Sequence, residues 1–525
     1  MPLDKWDHWF PHKEFRTHQQ ETLCKIVDAF ERVPVVIVRA PCGSGKSPLA
    51  LAIARYYRSA YLSTVEKQLQ DQIFRDFSAH LALLKGKGNY TCAKDFRDDG
   101  KRKILYTCDT APCGLNIPSK KEVSKACETE GICPYINARN EALKFSPITL
   151  MNYSNMLLFS LQGIAKREII IYDECHRLLQ QLDSFAEIPL TPKVFSHVKN
   201  LLDEEEDELL EFGFPNIESV KTFCTNLIPR IEKKLERGAI GDKEEVEFVK
   251  LQAQVDKMNA LLQHIHEGLP FVIKKETRGS TIAPLFVEHI APIAFKLGKR
   301  ALLMSATISD ADKLAKNLGI KEYEFIDVPS VFPPENNTII AIPVGSMSFA
   351  KQEATMPSMV KYIKAILNKH PNEKGIIQTY NYAIAEKLKK QLGNNPRYLF
   401  HTRDNDKRGL LVEHFESLEP TVLIGPGFKE GVDLKDAFAR FSILMKMPCA
   451  DLKDPLISQR AKLDPEQYDM DTLDSIFQML GRVIRSEKDY AVQYILDSYF
   501  IFLYRKYKGR FPKETRESIL IGDAA

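Results

Sequence analysis

Residues 35–47 read VVIVRAPCGSGKS. Four β-branched residues in a row, Val35 to Val38, have the composition of a strand buried on both faces. The strand runs into a glycine-rich turn, and Pro48 beyond it is tolerated only in the first turn of a helix. Strand, turn and helix in that order bring backbone N–H groups and the positive end of a helix to one point, which is a place for phosphate. Gly43 and Gly45 supply the turn, Lys46 is placed to reach β- and γ-phosphates, and the Ser47 hydroxyl is placed to ligate Mg²⁺. Ala40, Pro41, Cys42 and Ser44 complete the loop. The strict phosphate-loop pattern asks for Gly where Ala40 stands.

Around this loop the chain has the rhythm of an α/β protein. EIIIYDECH (168–176) and RALLMSATIS (300–309) are further apolar strand signals, and GIIQTYN (375–381), TVLIGPG (421–427) and YAVQYILD (490–497) mark a second α/β region. Asp173 and Glu174 close one of these strands. A carboxylate pair at the C-terminal edge of a parallel sheet faces the ligand crevice. There Asp173 is suited to hold Mg²⁺ and Glu174 to position and deprotonate an attacking water.

At 525 residues the chain needs several cores, so three or four domains are expected. The net charge is only +3, so a nucleic-acid surface has to be a local basic groove. No apolar run reaches the roughly 20 residues that span a bilayer, and the N-terminus lacks an apolar signal core; a cytoplasmic protein with no membrane partner is expected. Residues 180–285 carry three- and four-residue apolar steps, as in EEVEFVKLQAQVDKMNALLQHI, and predict a helical insertion. Five of the ten cysteines, Cys92, Cys108, Cys113, Cys127 and Cys133, fall in one short stretch. In a reducing compartment such clustering favours metal over disulfides.

The remaining motifs carry a resemblance. APCGSGKS fits the A-x-x-G-x-G-K-[ST] form of superfamily 2 helicases. FRTHQQ (15–20) is similar to an N-terminal Arg/Gln motif and STVEKQLQDQ (63–72) to motif Ia. DECH (173–176) is similar to a DEAH box with Cys175 in place of Ala, and SAT (305–307) to motif III. GFKEGVDL (427–434) is similar to motif V and QMLGRVIRS (478–486) to motif VI. In this order and spacing, from about residue 15 to about 497, the chain resembles the XPD/DinG family of superfamily 2 helicases.

The resemblance implies two RecA-like motor domains, with a cysteine-rich insert and a helical, arch-like insert in the first. The expected boundaries are 1–88, 141–179 and 286–328 for the first motor domain, 89–140 for the cysteine insert, 180–285 for the arch and 329–525 for the second motor domain. Gln478, Arg482 and Arg485 are then expected to reach the ATP phosphates from the second domain, with Arg16, Gln19 and Asp433 also serving the nucleotide. Asp433 shares the motif V loop with Glu430. The cysteine insert is expected to hold a 4Fe–4S cluster on Cys92, Cys113, Cys127 and Cys133, with Cys108 as the spare. Tetrahedral zinc is the chemical competitor, but none of the spacings is a two-residue knuckle. Lys94 and Arg97 in the insert, among interleaved aromatics, and Tyr153 after ITLM are expected to contact DNA. The implied activity is ATP-dependent 5′→3′ translocation on single-stranded DNA, opening forked or tailed duplexes as a monomer in repair or replication. The competing reading is an iron–sulfur nucleic-acid-binding or redox-sensing ATPase switch. With no further domain before residue 15, a fused nuclease is not expected.

Overall fold

The computed structural model describes residues 3–41, 43–98, 103–108, 131–238, 242–428, 434, 436–481, 483–484 and 489–522. Two seven-stranded parallel sheets dominate it. The first runs in spatial order Tyr323–Asp327, Val35–Arg39, Gly298–Ser305, Arg167–Asp173, Ala60–Thr64, Ile148–Asn152 and Ala82–Leu84. Val36 and Val38 feed the apolar core on one face of this sheet, Val35 and Ile37 the core on the other. That two-sided burial is why the stretch is uniformly apolar rather than alternating. Each such fully buried side chain contributes roughly 1.5–3 kcal/mol.

The second sheet runs Tyr398–Phe400, Val422–Gly425, Gly375–Gln378, Phe441–Leu444, Ala491–Asp497, Asn337–Gly345 and Ile519–Ile521. The strands read from apolar runs are all present, and the predicted helix at 382–392 is Tyr382–Leu392.

The segment between the lobes' motifs differs from its expected helical character in one respect. Helices Glu204–Phe212, Ile217–Glu236 and Asp242–His266 are there. At their root, however, lies a three-stranded antiparallel sheet in the order Ile188–Leu190, Ser280–Pro284, Phe271–Lys275. Strands this short carry too few residues for alternation to register, so helix periodicity dominates the sequence signal. In the cysteine insert, Thr91–Asp98 pairs antiparallel with Lys103–Thr107, and Pro134–Asn140 is helical. Among the described residues no helix is long and apolar enough to cross a membrane.

Candidate active site

Strand Val35–Arg39 delivers the glycine loop to the C-terminal edge of the first sheet, and helix Lys46–Tyr57 leaves from it. Gly43 and Gly45 both adopt positive φ, 80° in each case. At Gly45 a Cβ would also collide with the Gln19 side-chain amide, so the glycine is required twice over. Arg16 and Gln19, expected at the nucleotide, clasp the loop itself. Gln19 Nε2 donates to Ser44 O at 2.9 Å and Arg16 Nη1 to Gly43 O at 2.6 Å. They fix the two carbonyls on the far side of the loop, and this orients its N–H groups. The Ser44 hydroxyl is buried with no hydrogen-bond partner among the described residues. An unsatisfied buried donor is costly and suits a site built for an anion. Cys42 lies outside the described residues.

Asp173 ends its strand at the same edge: Arg39 is in register with Ser305, and Met304 with Asp173. Glu174 follows in the left-handed region, φ 61°, a strain that turns its carboxylate into the cleft. Its Oε1 is 3.7 Å from Lys46 Nζ and its Oε2 is 3.4 Å from His176 Nδ1. Burial, then the Glu174 charge, pushes the Asp173 carboxyl up to about 7, while Lys46 pulls it down. Asp173 is buried and Glu174 partly exposed, and two neighbouring carboxylates favour a cation beside them.

His176 and Ser305 are candidate site residues that the motif matches alone did not single out. Ser305 Oγ lies 2.7 Å from His176 Nδ1 and 3.4 Å from Glu174 Oε2. The other ring nitrogen, Nε2, is hydrogen-bonded to Gln478 Nε2 from the second lobe. Gln478 therefore reaches the catalytic box through His176. Arg482, Arg485, Glu430 and Asp433 lie outside the described residues.

The helix bearing Gln478, Pro465–Leu480, lies along the first lobe. Lys313 pairs with Asp464 at 2.9 Å, Asn317 Nδ2 donates to Gln467 at 3.0 Å, and Ser309 N donates to Asp474 Oδ1 at 2.8 Å. Arg510 pairs with Asp310 at 2.9 Å, a further ion pair between the lobes. A cavity of about 300 Å³ lies beside the loop, lined by Pro41 and Ala306 of the first lobe and Phe477, Leu480 and Gly481 of the second. Lys46 and Glu174 do not line it.

Burial pushes the Asp474 carboxyl up to about 8, against the hydrogen bonds from Ser309. Since the folded value lies above the ordinary 3.8, the folded state holds a proton that the unfolded state has lost. The stability contributed is full below that ordinary value, declines as pH rises, and is gone above about 8. Asp474→Asn keeps the acceptor and stays neutral. Denaturation of both proteins at pH 6 and pH 8 should show the wild type losing up to about 1.4 kcal/mol per pH unit relative to the variant. A pH-independent difference between them would mean that Asp474 is ionised in the fold.

In the cysteine insert, Thr91 pairs with Thr107, and Cys108 N donates to Tyr90 O at 2.8 Å. This brings Cys108 close to Cys92. Cys133 caps the helix Pro134–Asn140. Burial, the adjacent Cys133 thiol hydrogen-bonded to it, and Cys92 push the Cys108 thiol up to about 11. Among the described residues, no three His, Cys, Asp or Glu side chains stand close enough together to hold an ion. Cys113 and Cys127 lie outside them. Lys94 and Arg97 sit on the strand Thr91–Asp98, and their side chains also fall outside the description.

Tyr153 is a correction. It is fully buried, packed edge-on to Tyr172, and its hydroxyl donates to Asp173 O at 2.7 Å. It braces the end of the catalytic strand and offers no ring to a base.

A family model described as helicase C-terminal domain matches residues 366–518, and one described as type III restriction enzyme, res subunit, matches 12–204. The first covers the strands of the second sheet from Gly375–Gln378 to Ala491–Asp497, and the second covers the glycine loop and catalytic box. An XPD helicase structure superposes with a TM-score of 0.65 at 15% identity, covering 98% of this chain and all of the other. The Xpd4 structure of S. tokodaii gives 0.60 at 14% identity, covering 97% and 100%. The chain has the XPD-like superfamily 2 helicase fold and carries a helicase C-terminal domain. This helicase is similar to a probable ATP-dependent helicase of Methanocaldococcus jannaschii, 24% identical over 94% of this chain and 92% of that one. It is also similar to the ATP-dependent DNA helicase YoaA of Haemophilus influenzae, 21% identical over 96% and 93%. By class the helicase is an ATP hydrolase.

Proposed function

We propose that this helicase hydrolyses ATP to move 5′→3′ along single-stranded DNA and to open forked or tailed duplexes, acting as a cytoplasmic monomer in DNA repair or replication. The observation that chiefly supports a motor is the contact between Gln478 of the second lobe and His176 of the first. Through His176 and Ser305 it reaches Glu174, so the chemistry senses whether the lobes are together. Lys46 and the loop N–H groups hold the ATP phosphates. Asp173 and the Ser47 hydroxyl would hold Mg²⁺, which would supply charge neutralisation at the phosphates. Glu174, held by His176 and Ser305, orients the attacking water and takes its proton. Gln478, Arg482 and Arg485 approach from the second lobe, where an arginine stabilises charge on the transferring group only when the cleft is closed.

The same reading places a 4Fe–4S cluster in the insert. Cys92 and Cys133 fit as ligands. Cys108, read from the sequence as the spare, lies against Cys133 with Cys92 beside it, and its buried thiol suits a metal better than solvent. As they stand these three cysteines are not close enough together to hold an ion; we take binding to draw Cys92, Cys108 and Cys133 together as three ligands, with one of Cys113 and Cys127 as the fourth. When bound, such a cluster ties the hairpin to the helix Pro134–Asn140. Lys94 and Arg97, on the strand of that hairpin, are proposed to contact DNA.

The test is unwinding of 5′-tailed, 3′-tailed and blunt duplexes by protein purified without oxygen. Strand separation is expected with ATP on the 5′-tailed substrate and not on the others. Opening of the 3′-tailed duplex would reverse the polarity. DNA-stimulated hydrolysis with no separation on any substrate would leave the ATPase-switch reading in its place.

A further inference from the structure

The helix Pro455–Leu463 belongs to the second lobe, yet it is seated on the root of the insertion in the first. Leu456 is buried against Val272, Ala283 and Leu285. One turn on, Arg460 donates Nη1 and Nη2 to the two carboxylate oxygens of Asp183 at 2.7 Å each, and Nε to Leu285 O at 2.6 Å. Nη2 also reaches Pro284 O at 3.4 Å. A guanidinium is a planar fork of fixed geometry, and this one is spent on three acceptors whose relative positions it therefore fixes.

Those acceptors sit at two particular places. Asp183 is in the helix Leu178–Ala186, which follows directly on the catalytic box and leads out to the insertion. Pro284 ends the strand by which the chain returns from it. One side chain of the second lobe thus holds both the outgoing and the returning limb. Beyond Asp464 the same lobe continues into Pro465–Leu480, which ends at Gln478 on His176. The catalytic-box helix is therefore gripped by the second lobe before its start, at His176, and again about two turns further along, at Asp183.

We infer that Arg460 is a positioning residue that couples movement of the second lobe to the insertion, so that nucleotide-driven closure is transmitted to the arch. The inference rests on the reading of the chain as a nucleotide-driven motor. Bidentate geometry is what makes the link stiff, because a lysine at 460 supplies only a point charge on a flexible stem.

The experiment compares wild type, Arg460→Ala, Arg460→Lys and Asp183→Asn in the full chain, with thermal melting as the check on folding. Hydrolysis and unwinding of the 5′-tailed duplex are measured in parallel. Fluorescence energy transfer is recorded between dyes attached through unnatural amino acids at the exposed positions Phe212 and Leu418, with and without a non-hydrolysable ATP analogue. Arg460→Ala and Asp183→Asn should keep kcat and KM for ATP within about twofold and lose about tenfold in unwinding, the size of effect that coupling residues carry. Arg460→Lys should fall between. The analogue-dependent transfer change should be present in wild type and absent in Arg460→Ala.

Hydrolysis and unwinding falling together would assign Arg460 to lobe closure itself and overturn the inference. So would unchanged unwinding with an unchanged transfer response. If the wild type hydrolyses ATP but never unwinds, the motor reading fails and the transfer arm decides: a nucleotide response lost in Arg460→Ala sustains the coupling, and no response in wild type ends it.

Discussion

Lys46→Ala is expected to bring ATP hydrolysis to background, a loss of at least the order of 10²-fold, as for removal of a preorganised charge-stabilising group. Lys46 opens the helix after the glycine loop and is largely buried, with its Nζ 3.7 Å from Glu174 Oε1. It is the cation closest to the Asp173–Glu174 pair in the description of the site, and it pulls the Asp173 carboxyl down. Removing it takes one positive charge from the phosphate site. It also raises the cost of ionising the Asp173 carboxyl. The fold should survive, because the loop is held by Gln19 and Arg16 on its other side. Glu174→Gln separates binding from chemistry. The amide keeps the shape and an acceptor for Ser305, but loses basicity, so ATP should bind while turnover falls by about 10²–10⁴-fold, the range for loss of a general base. Filter binding of labelled ATP alongside phosphate release checks both. Unchanged turnover in Lys46→Ala would remove the phosphate role. High residual turnover with lost binding in Glu174→Gln would make Glu174 structural.

What could be read from the sequence, and what could not, follows from the range of the interactions involved. VVIVR and IIIYD are legible because two-sided burial leaves an uninterrupted apolar run, and their glycine and carboxylate endings are local chemistry. The clasp of Arg16 and Gln19 on the loop spans 27 and 25 residues. The resemblance assigned these residues to the nucleotide, and the carbonyls they hold belong to the loop of that site. His176 as the bridge to Gln478 joins residues 302 apart and leaves no periodic trace at all. Tyr153 was misread because a tyrosine beside a loop looks the same in sequence whether it faces solvent or core. Its hydroxyl finds Asp173 O only through sheet register. Arg460 carries no motif, since its meaning lies entirely in the packing of a second-lobe helix on Asp183 and Leu285.

The cluster makes the last and most visible prediction. Protein purified without oxygen should be brown, absorb broadly near ~400 nm and contain about four irons per chain, as a 4Fe–4S centre on four thiolates requires. The ligand set decides which variants lose colour. The hairpin register brings Cys92 and Cys108 together, and Cys108 is hydrogen-bonded to Cys133. Binding of iron would release the protons these thiols hold, and its free energy would stabilise the folded insert. Cys92→Ser, Cys108→Ser and Cys133→Ser should each lose the cluster, and only one of Cys113→Ser and Cys127→Ser should do so. Unwinding should fall further than ATP hydrolysis in the losing variants, because Lys46, Asp173 and Glu174 lie on the first sheet and its loop, outside the hairpin. Retention of colour in Cys108→Ser, with loss in both Cys113→Ser and Cys127→Ser, would restore the set read from the sequence. Colourless protein with stoichiometric zinc would replace the cluster by a tetrahedral thiolate site, and full unwinding by metal-free protein would show that the motor works without the insert being stapled.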